Sequence, residues 1–234
     1  ILNESNITHL YKAAANECVN FWTDNGVDVL GYNSIESAKD INQLRKHLGA
    51  DKVTLWGISY GSHLALASLK VMPNNIDKLV IASAEGLNQT VKMPTRTDAY
   101  FTRLQLAINQ QPESAKAYPD IIGLIKRVHK ELDKNPIKIQ IAQDNGKSIE
   151  FLFQRVHMQG ITSAMIADPH RGVANLLQIY SALDHGVTDI LPAIIKRAGL
   201  DDDTIGFDVM SFGMDIASGI TDKKLKQFNQ QAKK

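Results

Sequence analysis

Cysteine is almost missing from this chain. Cys18 stands alone among 234 residues, so no disulfide can close within the chain, and no Cys/His cluster has metal-ligand spacing. Long hydrophobic runs are missing too: no apolar stretch reaches the roughly 18 residues of a membrane-spanning helix. Nor is there a dense basic run. The net charge is +1, so nothing points to a nucleic-acid partner, and the lysines near the end (Lys223, Lys224, Lys226, Lys233, Lys234) read as a solvated helix face. Repeats, low-complexity tracts and a charged-then-apolar leader are likewise absent. What remains is ordinary globular material, 44% hydrophobic and 22% charged, with length for one large domain or a domain carrying an insertion. The chain opens on Ile1 and not Met, which reads as a cut chain.

The most informative stretch runs from Val53 to His63. A short β-rich run, Val53 to Trp56, leads directly into Gly57-Ile58-Ser59-Tyr60-Gly61, and an apolar helical pattern follows. A G-x-S-x-G between strand and helix is the setting of a nucleophile elbow, a turn so sharp that it lifts the serine hydroxyl clear of the sheet. Ser59 is then the nucleophile, on a strained, positive-φ backbone. The amide of Tyr60 points where an oxyanion would form. Gly57 and Gly61 are both expected to be glycine because a Cβ at either would collide with the neighbouring strand or helix.

Around it the periodicity predicts a helix over 6–23, with Cys18 as a small buried hydrophobe, ending near Asn25-Gly26. Asn33 to Glu36 has the form of a capping box before a helix whose stripe is Ile35, Ala38, Ile41, Leu44 and Leu48, closed by Gly49. The elbow helix is placed at about 62–72, stopped by Pro73, and a buried strand at Leu79–Ala82. Helix, strand, helix, strand is the rhythm of a parallel α/β sheet. After Gly86 the pattern turns helical: 96–110, 119–133 opened by Pro119, a helix opened by Asp168-Pro169 and ending at Gly186, one capped by Thr188 and stopped at Gly199, and a last one opened by Thr221-Asp222. Ile137, Ile139 and Ile141 alternate, as do Ile149, Phe151 and Phe153 beyond Asp144-Asn145-Gly146, which reads as a hairpin. The expected fold class is α/β: a partial parallel sheet carrying the elbow over 1–86, a mainly helical cap inserted over 87–220, and a helix over 221–234 returning to the core.

Tyr32-Asn33-Ser34-Ile35-Glu36-Ser37-Ala38-Lys39-Asp40-Ile41, then Leu44-Arg45, Leu48-Gly49 and Gly57-Ile58-Ser59-Tyr60-Gly61-Ser62, resemble the α/β-hydrolase branch of proline iminopeptidases and tripeptidyl aminopeptidases. Glu85-Gly86 with Thr90, Lys92 and Pro94 is similar to that branch's passage from sheet to cap, and Leu191 to Ile195 to a cap helix. The resemblance covers 32–86 strongly and the cap thinly. It implies a serine nucleophile at Ser59, an oxyanion donor at the Tyr60 amide, hydrolysis of amides or esters near a free N-terminus, and no cofactor. It also implies an acid and a histidine late in the chain. No histidine follows His185, and the stretch that would supply a second oxyanion donor is missing. The chain therefore resembles the middle of a hydrolase, inactive alone, with the N- and C-terminal parts of the same protein as its implied partners. Secreted members of the branch pair a cysteine near Cys18 with one in the cap. Gly213 stands near that position here, which favours the cytoplasm slightly over an oxidising compartment.

Other candidates weigh less. His63, one turn after Ser59, reads as packing or surface, and His185 as a helix C-terminal residue. Asp201-Asp202-Asp203 reads as an exposed acidic loop, since three consecutive carboxylates cannot face one ion. Glu85 is a triad acid or a cap of the loop beyond the sheet. A protonated α-amine needs carboxylate partners away from water, and Glu85 and Asp215 are the candidates. The function expected is an aminopeptidase acting on small peptides or aminoacyl substrates, with no membrane partner. The alternatives are a carboxylesterase of the same fold and a non-catalytic, cap-bearing binding module.

Overall fold

A computed structural model describes residues 5–88, 91–143, 146–201 and 209–232. The chain begins with helix α1 (Ile7–Asp24), which Gly26 ends at φ +77°. Helix α2 (Ser34–His47), strand β1 (Val53–Ile58), helix α3 (Tyr60–Val71) and strand β2 (Ile76–Ala82) follow. Next come helices α4 (Pro94–Asn109), α5 (Pro112–Ala117) and α6 (Ile121–Lys134), then the strands β3 (Ile137–Ala142) and β4 (Ser148–Phe153). Helices α7 (Arg155–Ala167), α8 (Pro169–Asp184), α9 (Leu191–Arg197), α10 (Val209–Ser218) and α11 (Asp222–Ala232) complete the described chain. Two compact units emerge: Ala15–Thr97 with Gly206–Lys234, and Ile1–Ala14 with Asp98–Ile205.

The first unit is built on β1 and β2, paired in parallel with Trp56 opposite Val80 and Ile58 opposite Ala82. Helix α3 lies on this sheet and α2 on α3. Asn33 caps α2 as expected, its side-chain oxygen accepting from the amides of Ile35 and Glu36. The other half of the expected box is not made: Glu36 pairs with Lys39 at 2.7 Å, and the Asn33 amide donates to the Gly31 carbonyl. The predicted α2 stripe is also only partly covered. Ala38 is fully buried, while Ile35, Leu44 and Leu48 are exposed. Helix α1 buries no residue completely, so Cys18 is half-buried and not a core hydrophobe.

The second unit has the larger core. Phe151, Phe153, Ile141, Met158, Leu176, Tyr180, Leu191, Ile195 and Ile121 are each at most 2% exposed. The predicted hairpin is present with the predicted faces, Ile137 opposite Phe153 and Ile139 opposite Phe151, although Asp144 and Asn145 of its turn lie outside the described residues. Helix α6 starts after Asp120, not at Pro119, because the Asp120 carboxylate caps the Gly123 amide at 2.8 Å. Helix α9 starts after Ile190, and Thr188 contributes its carbonyl to the Leu191 amide. Helices α5, α7 and α10 have no counterpart among the sequence expectations. One polar chain crosses this core: Tyr180 Oη lies 2.9 Å from both His129 Nε2 and Thr162 Oγ1, and Thr162 donates to the Met158 carbonyl at 2.7 Å. Burial pushes the Tyr180 phenol up to about 12, and it holds His129 below the usual imidazole range, with Arg155 adding to that effect.

Helices α7 and α8 meet closely at Gly172, where a Cβ would land on the Met165 carbonyl oxygen. Backbone cannot give way as a side-chain tip can. Gly172→Ala should therefore lower unfolding free energy by about 2–3 kcal/mol. Gly160→Ala, on α7 with open space around the new methyl, should cost nothing and gain up to about 1 kcal/mol from helix propensity. Urea denaturation of the two variants beside the parent measures the contrast.

Candidate active site

Parallel strand β1 delivers the chain to Ser59, which has φ 53° and ψ −125°, and α3 begins at the next residue. For a side-chain-bearing residue this is strained backbone, held here from three sides. The Ser59 amide donates to the Ala82 carbonyl of β2 at 3.1 Å. Its carbonyl accepts from the Ser62 amide at 2.8 Å and from the Ser62 hydroxyl at 2.6 Å. Its own hydroxyl, exposed at the end of the sheet, donates to Glu85 Oε1 at 3.0 Å. Tyr60 opens α3, so its amide is among the leading N–H groups that have no intrahelical acceptor.

The two glycines of the elbow are not equivalent. A Cβ at Gly57 would land on the carbonyl oxygen and carbon of Gly61, the second residue of α3. At Gly61 a Cβ would meet nothing within 4 Å. The expectation of a collision at both positions is corrected: Gly57 lets the strand and the helix touch backbone to backbone, and Gly61 faces open space.

The segment leaving β2 closes the site. It turns at Ser83, the other non-glycine residue of positive φ among the described residues (49°), and brings Glu85 back over α3. There the Glu85 amide donates to Ser62 Oγ at 2.8 Å, and the Gly86 carbonyl lies 3.0 Å from His63 Nδ1. Ser62 and His63 are buried and work as pins. His63 also stacks on Tyr60 with ring centroids 5.9 Å apart, which accounts for it as packing. The Tyr60 hydroxyl is 3.0 Å from Ser34 Oγ, and Ser34 is 3.0 Å from Ser218 Oγ of α10. Asp215 lies on that same α10 and is exposed, and among the described residues Glu85, not Asp215, is hydrogen-bonded to Ser59. His185 places Nδ1 2.7 Å from the Ser181 carbonyl at the end of α8, a helix-terminal role. Asp202 and Asp203 lie outside the described residues.

A family model described as alpha/beta hydrolase fold matches residues 21–130, a span that contains the whole elbow and the Glu85 segment. The fold is that of an α/β hydrolase. It is represented by part of the parallel sheet with a mainly helical insertion of the cap type, and it supports a hydrolase. No curated protein matches the chain. Among the described residues no group of three metal-binding side chains comes together, and no helix is long and apolar enough to cross a membrane.

Of the four residues expected at the site, the structure brings Ser59, Tyr60 and Glu85 together and leaves Asp215 apart. Ser62 was missed by sequence reasoning. Its signal was present, since a small hydroxyl residue three positions after the elbow serine can bond back to that carbonyl.

The glycine asymmetry is measurable. Gly57→Ala should cost about 3 kcal/mol in denaturant unfolding, because two backbones must separate. Gly61→Ala should stay within about 1 kcal/mol of the parent, on the stabilising side.

Proposed function

We propose that this α/β-hydrolase chain is a serine hydrolase of the aminopeptidase type. The observation that carries the reading is Ser59: a positive-φ serine between a parallel strand and a helix, its hydroxyl presented at the sheet end. In the proposed reaction Ser59 Oγ attacks the substrate carbonyl carbon and its proton passes to a base. The oxyanion is held by the Tyr60 amide, and collapse of the tetrahedral intermediate expels the amine. A carboxylate near the nucleophile supports recognition of a protonated α-amine. Glu85 satisfies that placement, and Asp215 remains a second candidate by type.

The base and the triad acid belong, in this proposal, to further segments of the same protein that complete the sheet. The support is the state of that sheet: Trp56 is 75% exposed, Ile58 53% and Val80 52%, all on one face of a two-stranded parallel ribbon. Parallel sheets are stable when both faces are covered. The proposed division is a core over 1–86, a cap over 87–220, and a return to the core over 221–234.

Aminoacyl arylamides, prolyl ones included, test the reading. The native protein should hydrolyse the free-amine forms, and acetylating the amine should abolish turnover, as should Ser59→Ala. Equal rates on free and acetylated substrates would instead assign a carboxylesterase.

A further inference from the structure

We propose that Glu85 is a base for Ser59: its carboxylate takes the hydroxyl proton directly and gives the elbow an acyl-transfer activity toward activated esters that needs no histidine. This rests on Ser59 being the nucleophile and adds to it a proton acceptor within this chain. The substrate class is neutral esters with a good leaving group, such as aryl acetates. A substrate without an amine brings no ammonium to the carboxylate, so this role is separate from recognition.

A general base stands about 2.6–3.2 Å from the oxygen it deprotonates. Glu85 meets that requirement, since the Ser59 hydroxyl donates to its Oε1 at 3.0 Å. The proton already lies along the path it would take. The other polar groups on the first turn of α3 face elsewhere. The Ser62 hydroxyl donates to the Ser59 carbonyl, and His63 places Nδ1 on the Gly86 carbonyl and stacks its ring on Tyr60. Tyr60 and His63 are the titratable side chains of that turn, and the Tyr60 hydroxyl is engaged with Ser34. Among the described residues no cation forms an ion pair with Glu85, so none competes with the Ser59 proton for it.

The pair is also held at both ends. The Ser59 backbone is fixed by the Ala82 carbonyl and by Ser62, and the Glu85 amide donates to the oxygen of that same Ser62 hydroxyl at 2.8 Å. In the reaction Ser59 Oγ forms a bond to the acyl carbon while its proton moves to Glu85 Oε1. The bond from the acyl carbon to the aryl oxygen breaks, the aryloxide leaves with the electron pair, and Glu85 returns its proton to it through water. Water then attacks the acyl-serine, losing its proton to Glu85, and the Ser59 oxygen is reprotonated as it leaves. Ester and water have become acid and phenol.

Stopped-flow hydrolysis of 4-nitrophenyl acetate by the native protein tests this, the burst of nitrophenol reading the rate of Ser59 acylation. With histidine as the sole base, that rate would fall nearly ten-fold from about pH 6 to pH 5, where an ordinary imidazole is protonated and an ordinary carboxylate stays ionised. With Glu85 also acting, the fall should be less than about three-fold. In Glu85→Gln the rate at pH 5 should drop at least about three-fold, and the steep fall should appear. Glu85→Ala should behave likewise, and added formate, a carboxylate small enough for the vacated space, should restore the shallow profile. A ten-fold fall in the wild type overturns the proposal, and that profile stands even if a variant folds poorly. So does a shallow profile that survives in Glu85→Gln or in Glu85→Ala without formate. A burst that requires Ser59 yet falls ten-fold removes the carboxylate base and leaves the nucleophile in place. An equal burst in Ser59→Ala removes both.

Discussion

The close approach of Gly57 to Gly61 is the constraint on which the site depends. Only without a Cβ on the strand side can α3 begin so near the end of β1 that a single residue, Ser59, makes the whole change of direction. That residue must then adopt a conformation that ordinary side chains avoid. Backbone strain of this kind costs on the order of 1–3 kcal/mol and persists only where the surroundings over-determine it. Here the Ala82 carbonyl, the Ser62 amide and the Ser62 hydroxyl all act on Ser59.

The second chain segment at the site is held by the same helix. β2 runs parallel to β1, so both strands end on the same side, and the residues after Ala82 emerge beside the elbow. A second positive-φ serine, Ser83, starts the return that brings Glu85 over α3. Ser62 and His63, adjacent in sequence and on the first turn of α3, each take one polar group of that segment. The first turn of one helix therefore holds both Ser59 and the Glu85 segment.

The two units differ in how complete they are as folded bodies. The unit containing the β3–β4 hairpin encloses a set of large, fully buried side chains and a satisfied polar chain through Tyr180. The unit containing the elbow buries mostly small side chains, such as Ala38, Ala65, Ala67, Ser62 and Ser68, and leaves Trp56 and Ile58 in the open. Ser59 and Glu85 thus sit on the unit whose parallel ribbon leaves large apolar side chains uncovered.

The elbow, its strand and helix, and the faces of the hairpin were legible in the residues alone, because each is encoded by spacing over a few residues. G-x-S-x-G admits one kind of turn, and alternation at Ile137, Ile139 and Ile141 admits one register face. Helix starts that depend on which of two nearby residues caps them differ from the sequence expectation, at Pro119 against Asp120 and at Thr188 against Ile190. Helices α5, α7 and α10 were missed, since their boundaries carry weak local signals. That Gly57 is sterically required while Gly61 is not, that Glu85 is hydrogen-bonded to Ser59, and that Ser62 joins the two emerge only once the chain is folded. Each of these depends on how close two segments come after the chain has turned back on itself: Glu85 is 26 residues from Ser59 and 3.0 Å away. Local patterning sets which way a side chain points within its own element, and it carries no information about the distance across a parallel crossover.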